Sequence, residues 1–258
     1  MSKEKPYVIN DETNDDELFP AGLARGLDLG LRDDRGYEGV ARPYPDSLLI
    51  PESEWRARIE ERIARKATTR ERMARAGVKV KNQARTNFCW VFAPTSALEI
   101  ARINQGLDHV ELSPASVGAP MKNYRNVGGW GREALERIIS HGAVPHSLWP
   151  STAIDPRYDT PATRAEAAKN KVDEWWVLPN RSKKHLCSAI LRGLTVPIGL
   201  NWWGHEVLAV DLVIVDGEVC PLILNSWDVT WGDQGFGVLQ GGKMLPDDCV
   251  APCSSIIA

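Results

Sequence analysis

The stretch Asn82-Gln83-Ala84-Arg85-Thr86-Asn87-Phe88-Cys89-Trp90-Val91-Phe92 constrains this chain more than any other. A polar, extended segment runs into Cys89, and Cys89 runs into an apolar stretch, Trp90 to Ile103, that reads as a buried helix. A thiol at that junction sits among free backbone N–H groups at the positive end of the helix dipole, a setting that favours thiolate. Gln83 stands six residues upstream, where its amide can return to the same spot and donate a hydrogen bond. A lone cysteine beside tryptophan is also what ordinary packing produces, so the chemical reading needs partners.

A thiolate nucleophile needs a base, and the base needs an orienting group, both distant in sequence. Gly204-His205-Glu206-Val207 opens an apolar strand. Asn225-Ser226-Trp227 follows, and then Trp231-Gly232-Asp233-Gln234-Gly235-Phe236-Gly237. In this order and spacing the chain, from about Val78 to Leu239, resembles the papain family (C1) of cysteine peptidases. The resemblance implies an α+β, two-lobe fold: a helical lobe carrying the nucleophile helix, and an antiparallel, barrel-like β lobe. It implies Cys89 as nucleophile, His205 as base and Asn225 as orienting residue. Gln83 and the Cys89 N–H would form the oxyanion hole, and Trp227 would shield the His205–Asn225 pair. Gly128-Gly129 would pair with substrate backbone, although an ordinary loop before a helix reads the same way. Trp130 and Gly131 would border the pocket for the side chain two residues before the cut, and Trp203 is expected on the groove wall. The activity implied is hydrolysis of peptide or isopeptide bonds through an acyl-enzyme, in a protein of bacterial or phage type.

The chain departs from the family pattern in places. Asn87-Phe88 replaces small residues before the nucleophile, which predicts a bulkier cleft wall. Gly204 replaces a polar residue before the histidine. The span from the strand at 196–200 to His205 is short and filled by Trp202-Trp203. Thr86 stands where secreted relatives carry a disulfide cysteine.

The organisation expected is an extended acidic Gly/Pro-containing arm over 1–50, a helical extension over 51–77, a helical lobe over 78–150 and a β-rich lobe over 151–258. The arm cannot bury enough apolar area to fold alone. It is pinned either along its own domain or along a partner, such as a capsid or virion assembly. A structural virion protein with a vestigial site is therefore the alternative function, and a transglutaminase-like or deubiquitinating activity a third. The extension shows no propeptide helix signature, so a built-in element is expected rather than a removable inhibitor. Trp55, Ile59 and Ile63 fall on one helix face with Ser53 as cap, and Thr68 or Thr69 caps a second helix ended by Gly77. Eight Lys/Arg between Arg56 and Arg75 alternate with glutamates and read as a solvated face rather than a nucleic-acid site.

A net charge of −3 gives no pull toward nucleic acid or membrane, and no apolar run reaches signal-peptide or spanning character. A cytoplasmic or virion location is expected. Cys187, Cys220, Cys249 and Cys253 read as buried or incidental thiols, with Cys249–Cys253 the one pair close in sequence. His109, His141, His146 and His185 lack ligand-like spacing, so neither metal nor cofactor is expected. A helix is expected from Thr163 to Val172. Asp216-Gly217 between apolar runs predicts a hairpin that puts Asn225 opposite Leu208. His205 and Asn225 then meet only if a bulge intervenes, for which Pro221 is the candidate.

Overall fold

The computed structural model describes residues 6–14, 18, 26, 27, 37, 39–252 and the backbone of 256–257. Helices α1 (Glu52–Ala64), α2 (Thr69–Ala76), α3 (Cys89–Asn104), α4 (Pro114–Met121), α5 (Gly131–Ser140), α6 (Pro161–Ala167) and α7 (Lys183–Leu191) are joined by strands β1 (Val8–Ile9), β2 (Arg42–Pro43), β3 (Lys171–Val172), β4 (Trp175–Val177), β5 (Val196–Leu200), β6 (His205–Val215), β7 (Glu218–Leu224), β8 (Phe236–Leu239), β9 (Asp248–Pro252) and β10 (Ile256–Ile257). The main sheet runs β1-β8-β7-β6-β5-β9-β4-β2, and β10 pairs with β3. No helix among the described residues is long and apolar enough to cross a membrane.

α3 is the hub. Nearly every residue from Cys89 to Ile100 is buried, which is what a helix apolar all round requires. One side meets α4 and α5, and the other meets β5, β6 and β9. A buried ion pair fastens its middle. Lys81 Nζ lies 2.6 Å from Glu99 Oε1 and 3.1 Å from the carbonyl of Leu112, and the Leu112 N–H donates to the same carboxylate at 2.6 Å. His109 Nε2 lies 3.2 Å from Glu99 Oε2. This knot holds the segment carrying Gln83 and the entry to α4 against the nucleophile helix.

The β6–β7 hairpin turns at Asp216-Gly217, with φ of 48° and 83°, as a left-handed two-residue turn demands. Val215 pairs with Glu218 as the turn predicts, yet Leu208 pairs with Leu224, because the register shifts between Ala209 and Asp211. The bulge therefore falls at Val210 on β6, not at Pro221. It has a clear consequence. Without it Asn225 would oppose Leu208, on the face away from His205. With it Asn225 falls in line with Val207, which shares the face of His205.

Several local expectations need correction. Ile63 is 53% exposed while Trp55 and Ile59 pack inward, so the apolar stripe of α1 is two residues long. Pro51, not Ser53, precedes α1. Thr68 caps α2 in a capping box with Glu71, and Gly77 ends it in the left-handed region. The helix expected to reach Val172 stops at Ala167, and Lys171–Val172 is a strand. The tail, without sequence motif, supplies β9, which lies between β5 and β4. The basic run of the extension is partly spent inward: Arg62 donates to the Ile190 carbonyl at 2.6 Å, and Arg70 pairs with Asp233 at 2.7 Å.

The described part of the arm is strapped to its own chain. β1 pairs in parallel with β8, and β2 in parallel with β4. Ile9 is fully buried there.

Candidate active site

Cys89 begins α3, following Phe88, which has non-helical backbone angles. Phe88 is fully buried and turns toward Gly118 and the Trp90 ring. Its bulk fills the helical lobe rather than the cleft, which corrects the expectation of a narrowed wall at that residue. Asn87 is anchored to Asn126 through its N–H at 2.7 Å and its side-chain amide at 3.2 Å.

His205 opens β6, and β5 reaches it through a tight turn over 201–204 in which Gly204 has φ of 61°. His205 Nε2 lies 2.8 Å from Asn225 Oδ1. The same oxygen accepts the backbone N–H of Ser226 at 2.7 Å. A backbone N–H can only donate, so the atom facing it is the amide oxygen, and that oxygen can only accept from the imidazole. The proton of the neutral ring is therefore on Nε2, and Nδ1 carries the basic lone pair. Trp227 stacks on the ring at 4.4 Å with an interplanar angle of 24°. Trp203, expected on the groove wall, is fully buried; it stacks on Trp202 and stands edge-on to His205 at 5.0 Å. It supports the imidazole from behind.

Gln83 is buried beneath this pair. Its Nε2 donates to the Thr86 carbonyl at 2.8 Å, and its Oε1 accepts from Ser226 Oγ at 2.6 Å. Its backbone N–H donates to the Ser226 carbonyl at 2.8 Å. Ser226 thus ties the glutamine to the histidine–asparagine pair, a role the sequence reading missed.

Two described residues of the arm, Gly26 and Leu27, lie at the cleft. The Gly129 N–H donates to the Gly26 carbonyl at 2.9 Å, and the Leu27 N–H donates to the Gly204 carbonyl at 3.3 Å. Leu27 and Gly129 form a parallel bridge. The backbones of Glu206, Gly26 and Trp90 adjoin the fully buried Cys89 sulfur. A Cβ on Gly26 would fall 2.0 Å from the Asn87 carbonyl oxygen, so only glycine fits there. Tyr37 packs edge-on against Trp130 at 5.7 Å, and a Cβ on Gly131 would fall 2.6 Å from its hydroxyl oxygen. The residue that lies over the thiol, Gly26, belongs to the arm and not to the helical extension.

Gly129 has a second reason to be glycine: a Cβ would fall 2.5 Å from the Trp90 ring. Gly128 sits beside it in the same loop, Trp130 precedes α5, and Gly131 begins it.

Burial is complete at Cys89, and burial first, then the charge of Glu206, pushes the thiol up to about 12. The neighbouring N–H groups oppose this and lose. The thiolate expected at the helix start is not the species of this closed arrangement. Cys187, Cys220 and Cys249 are buried free thiols, and Cys253 lies outside the described residues.

Glu206, buried and adjoining His205 on β6, was quoted in the sequence motif without a role. An acidic residue directly after the base, in a largely apolar strand, was the signal available.

Cys89 starts a helix that packs between helices and a sheet, and that sheet carries the His205–Asn225 pair under Trp227; the fold is papain-like. The fold matches the digestive procathepsin L 3 of Tenebrio molitor larval midgut with a TM-score of 0.66 at 17% identity, covering 90% of this chain and 76% of that one. In sequence the chain is 27% identical over 187 residues to cysteine proteinase 2 of Entamoeba histolytica, covering 61% of this chain and 58% of that protein. It is 27% identical over 205 residues to thiol protease aleurain of Arabidopsis thaliana, covering 68% and 55%. The chain therefore spans little more than half the length of these relatives. No family model matches it. The fold also matches xylellain, a cysteine protease from Xylella fastidiosa, with a TM-score of 0.62 at 16% identity, covering 91% of this chain and 97% of that one; a bacterial or phage type is not shown by these matches. They are peptidases by name, and the arm's described contacts are with its own chain, so the virion reading finds no support either.

Proposed function

We propose that this chain is a cysteine peptidase that hydrolyses peptide or isopeptide bonds through Cys89, His205 and Asn225, and that the arm holds it latent. The observation that carries the reading is the Nε2–H bond of His205 to Asn225 Oδ1, with the acceptor identity set by the Ser226 N–H. With Nε2 so engaged, Nδ1 is the nitrogen that takes the thiol proton from Cys89. The thiolate attacks the scissile carbonyl, and the oxyanion is held by the Cys89 N–H and the Gln83 amide. Nδ1–H then protonates the leaving amine, and water cleaves the thioester with His205 again as base. One oxyanion donor contributes about 3–4 kcal/mol to such a step.

Latency follows from what the arm offers the sulfur. The Gly26 backbone adjoins the sulfur, and its carbonyl is taken up by the Gly129 N–H at 2.9 Å. The thiol is covered and kept protonated. The substrate is a peptide or protein chain that takes the arm's place on Gly129.

The test is labelling of the full chain by an epoxide thiol probe, with Cys89→Ala and His205→Ala controls and with Gly26→Ala to displace the arm. The expected result is slow labelling of the native chain, fast labelling of Gly26→Ala, and none in either control. Labelling of the arm-displaced chain that survives His205→Ala would sink the triad.

A further inference from the structure

The C-terminal end of α5, away from the cleft, borders a cavity of about 160 Å³. Ser116, Arg137, His141, Trp149, Asp159 and Arg164 are among the residues that line it, so two guanidiniums and an imidazole face one carboxylate. That carboxylate is already taken. Asp159 Oδ1 accepts from Arg164 Nε at 2.6 Å, and Oδ2 accepts from the Tyr124 hydroxyl at 2.6 Å. Arg137 feels Asp159 only through its charge. Its buried Nε has no hydrogen-bond partner among the described residues. Lys171, which begins β3, adds a further positive charge acting on His141.

An arginine in the last turn of a helix ordinarily serves the free carbonyls and the dipole there. Here those carbonyls are served by other groups. The Arg137 carbonyl accepts the His141 N–H at 2.8 Å, and the Ile138 carbonyl accepts the Gly142 N–H at 3.0 Å. Ser140 Oγ donates to the Glu136 carbonyl at 2.6 Å. A buried donor without an acceptor is costly, and more so when it is charged. An oxyanion in the cavity supplies that acceptor, in the paired geometry a guanidinium offers.

His141 is set to respond to such a guest. Ser140 Oγ also lies 2.6 Å from His141 Nδ1. The single hydroxyl proton goes to the Glu136 carbonyl, which can only accept, so Nδ1–H donates to Oγ. The neutral ring then keeps its lone pair on Nε2, and a second proton turns Nε2 into a donor. Partial burial, then the charges of Arg137, Lys171 and Arg164, hold the imidazole below its ordinary value, and Asp159 opposes them. An anion placed among these cations reverses that push.

We propose that this cavity is a binding site for a small oxyanion, a phosphate, sulfate or carboxylate, held by Arg137 and Arg164 with His141 as a proton-dependent third donor. The site does not involve Cys89, and binding alone tests it.

The experiment is proton NMR of the full chain, following the His141 ring signals as sulfate, phosphate or acetate is added. Chloride at matched ionic strength is the control, and His141→Gln identifies the signals. The expected result is saturable movement with a Kd of about 1 mM, absent with chloride. The His141 titration should move to higher pH in the bound chain. By linkage, sulfate, whose own charge is constant over this range, should bind more tightly at pH 5.5 than at pH 8. Arg137→Gln should weaken binding at least about tenfold. Arg164→Gln, at a largely exposed side chain, should weaken it as well, and it decides the matter if Arg137→Gln does not fold. A stronger response to acetate assigns the site to carboxylates, and a stronger response to sulfate or phosphate assigns it to tetrahedral anions; either supports the site. An equal response to chloride, movement without saturation, no movement with any of the three, or unchanged affinity in the folded variants would overturn it.

Discussion

The Cα of Gly26 faces the carbonyl of Asn87 so closely that any side chain would overlap it, and the Gly26 backbone adjoins the buried sulfur of Cys89. Two residues far apart in the chain thus meet at a point where one missing methyl group allows the arm to lie over the nucleophile. Gly26→Ala should expel the arm locally. We expect labelling of Cys89 to accelerate at least about tenfold, the effect of about 1.4 kcal/mol on the open population. Thermal melting should show a modest loss of stability with the fold retained. An unchanged labelling rate in a folded variant would remove the latency argument.

The pH dependence of the thiol should change with the arm. Burial, and then the charge of Glu206, holds the Cys89 thiol at about 12 in the closed chain, so alkylation should stay slow at neutral pH and rise toward alkaline pH. Displacing the arm removes much of the burial, and the titration should move to lower pH. Rates of alkylation measured from pH 5 to 10 on the native and Gly26→Ala chains check this. Glu206→Gln should move it further in the same direction, because it removes the second cause.

Asn225→Ala removes the acceptor that keeps the imidazole proton on Nε2. In the arm-displaced background we expect kcat to fall about 10²-fold with little change in KM, in the range for losing a well-set general base. The downfield Nε2–H resonance of His205 should vanish from the proton spectrum in the same variant. A persistent resonance with unimpaired turnover would contradict the assignment.

The Lys81–Glu99 pair is the main buried charge contact behind the site. Burial alone raises the Glu99 carboxyl, but the Lys81 charge and the hydrogen bonds from His109, Lys81 and Leu112 outweigh it and hold the group below its usual range. A carboxyl depressed in the folded state contributes stability above its unfolded pKa, and that stability is lost as pH falls through the folded value. Glu99→Gln should cost about 3–5 kcal/mol at neutral pH by leaving Lys81 buried beside a neutral amide. The cost should shrink as the native chain is taken to acid. Denaturant unfolding at pH 7 and pH 4 measures both.

The motif residues could be read from sequence because their signals are local. The polar-to-apolar junction at Cys89 marks a helix start, and Thr68 with Glu71 marks another. The exposed Ile63 and the short α6 show where local pattern misleads: nothing in the spacing says which turn of a helix meets the core.

The chain order of Cys89, His205 and Asn225, the hairpin at Asp216-Gly217 and the strand at 196–200 were determined by sequence alone, since each follows from residue type and neighbours. Tertiary structure decided the rest. The bulge at Val210 turns Asn225 onto the face of His205, and only pairing between strands can place an extra residue. The placing of Gly26 and Leu27 beside Cys89 and the tail strand between β5 and β4 rest on backbone hydrogen bonds, which carry almost no sequence signature. Glu206 bears on Cys89 only because folding brings β6 beside the start of α3, and the effect of a charge depends on surroundings that come from distant parts of the chain.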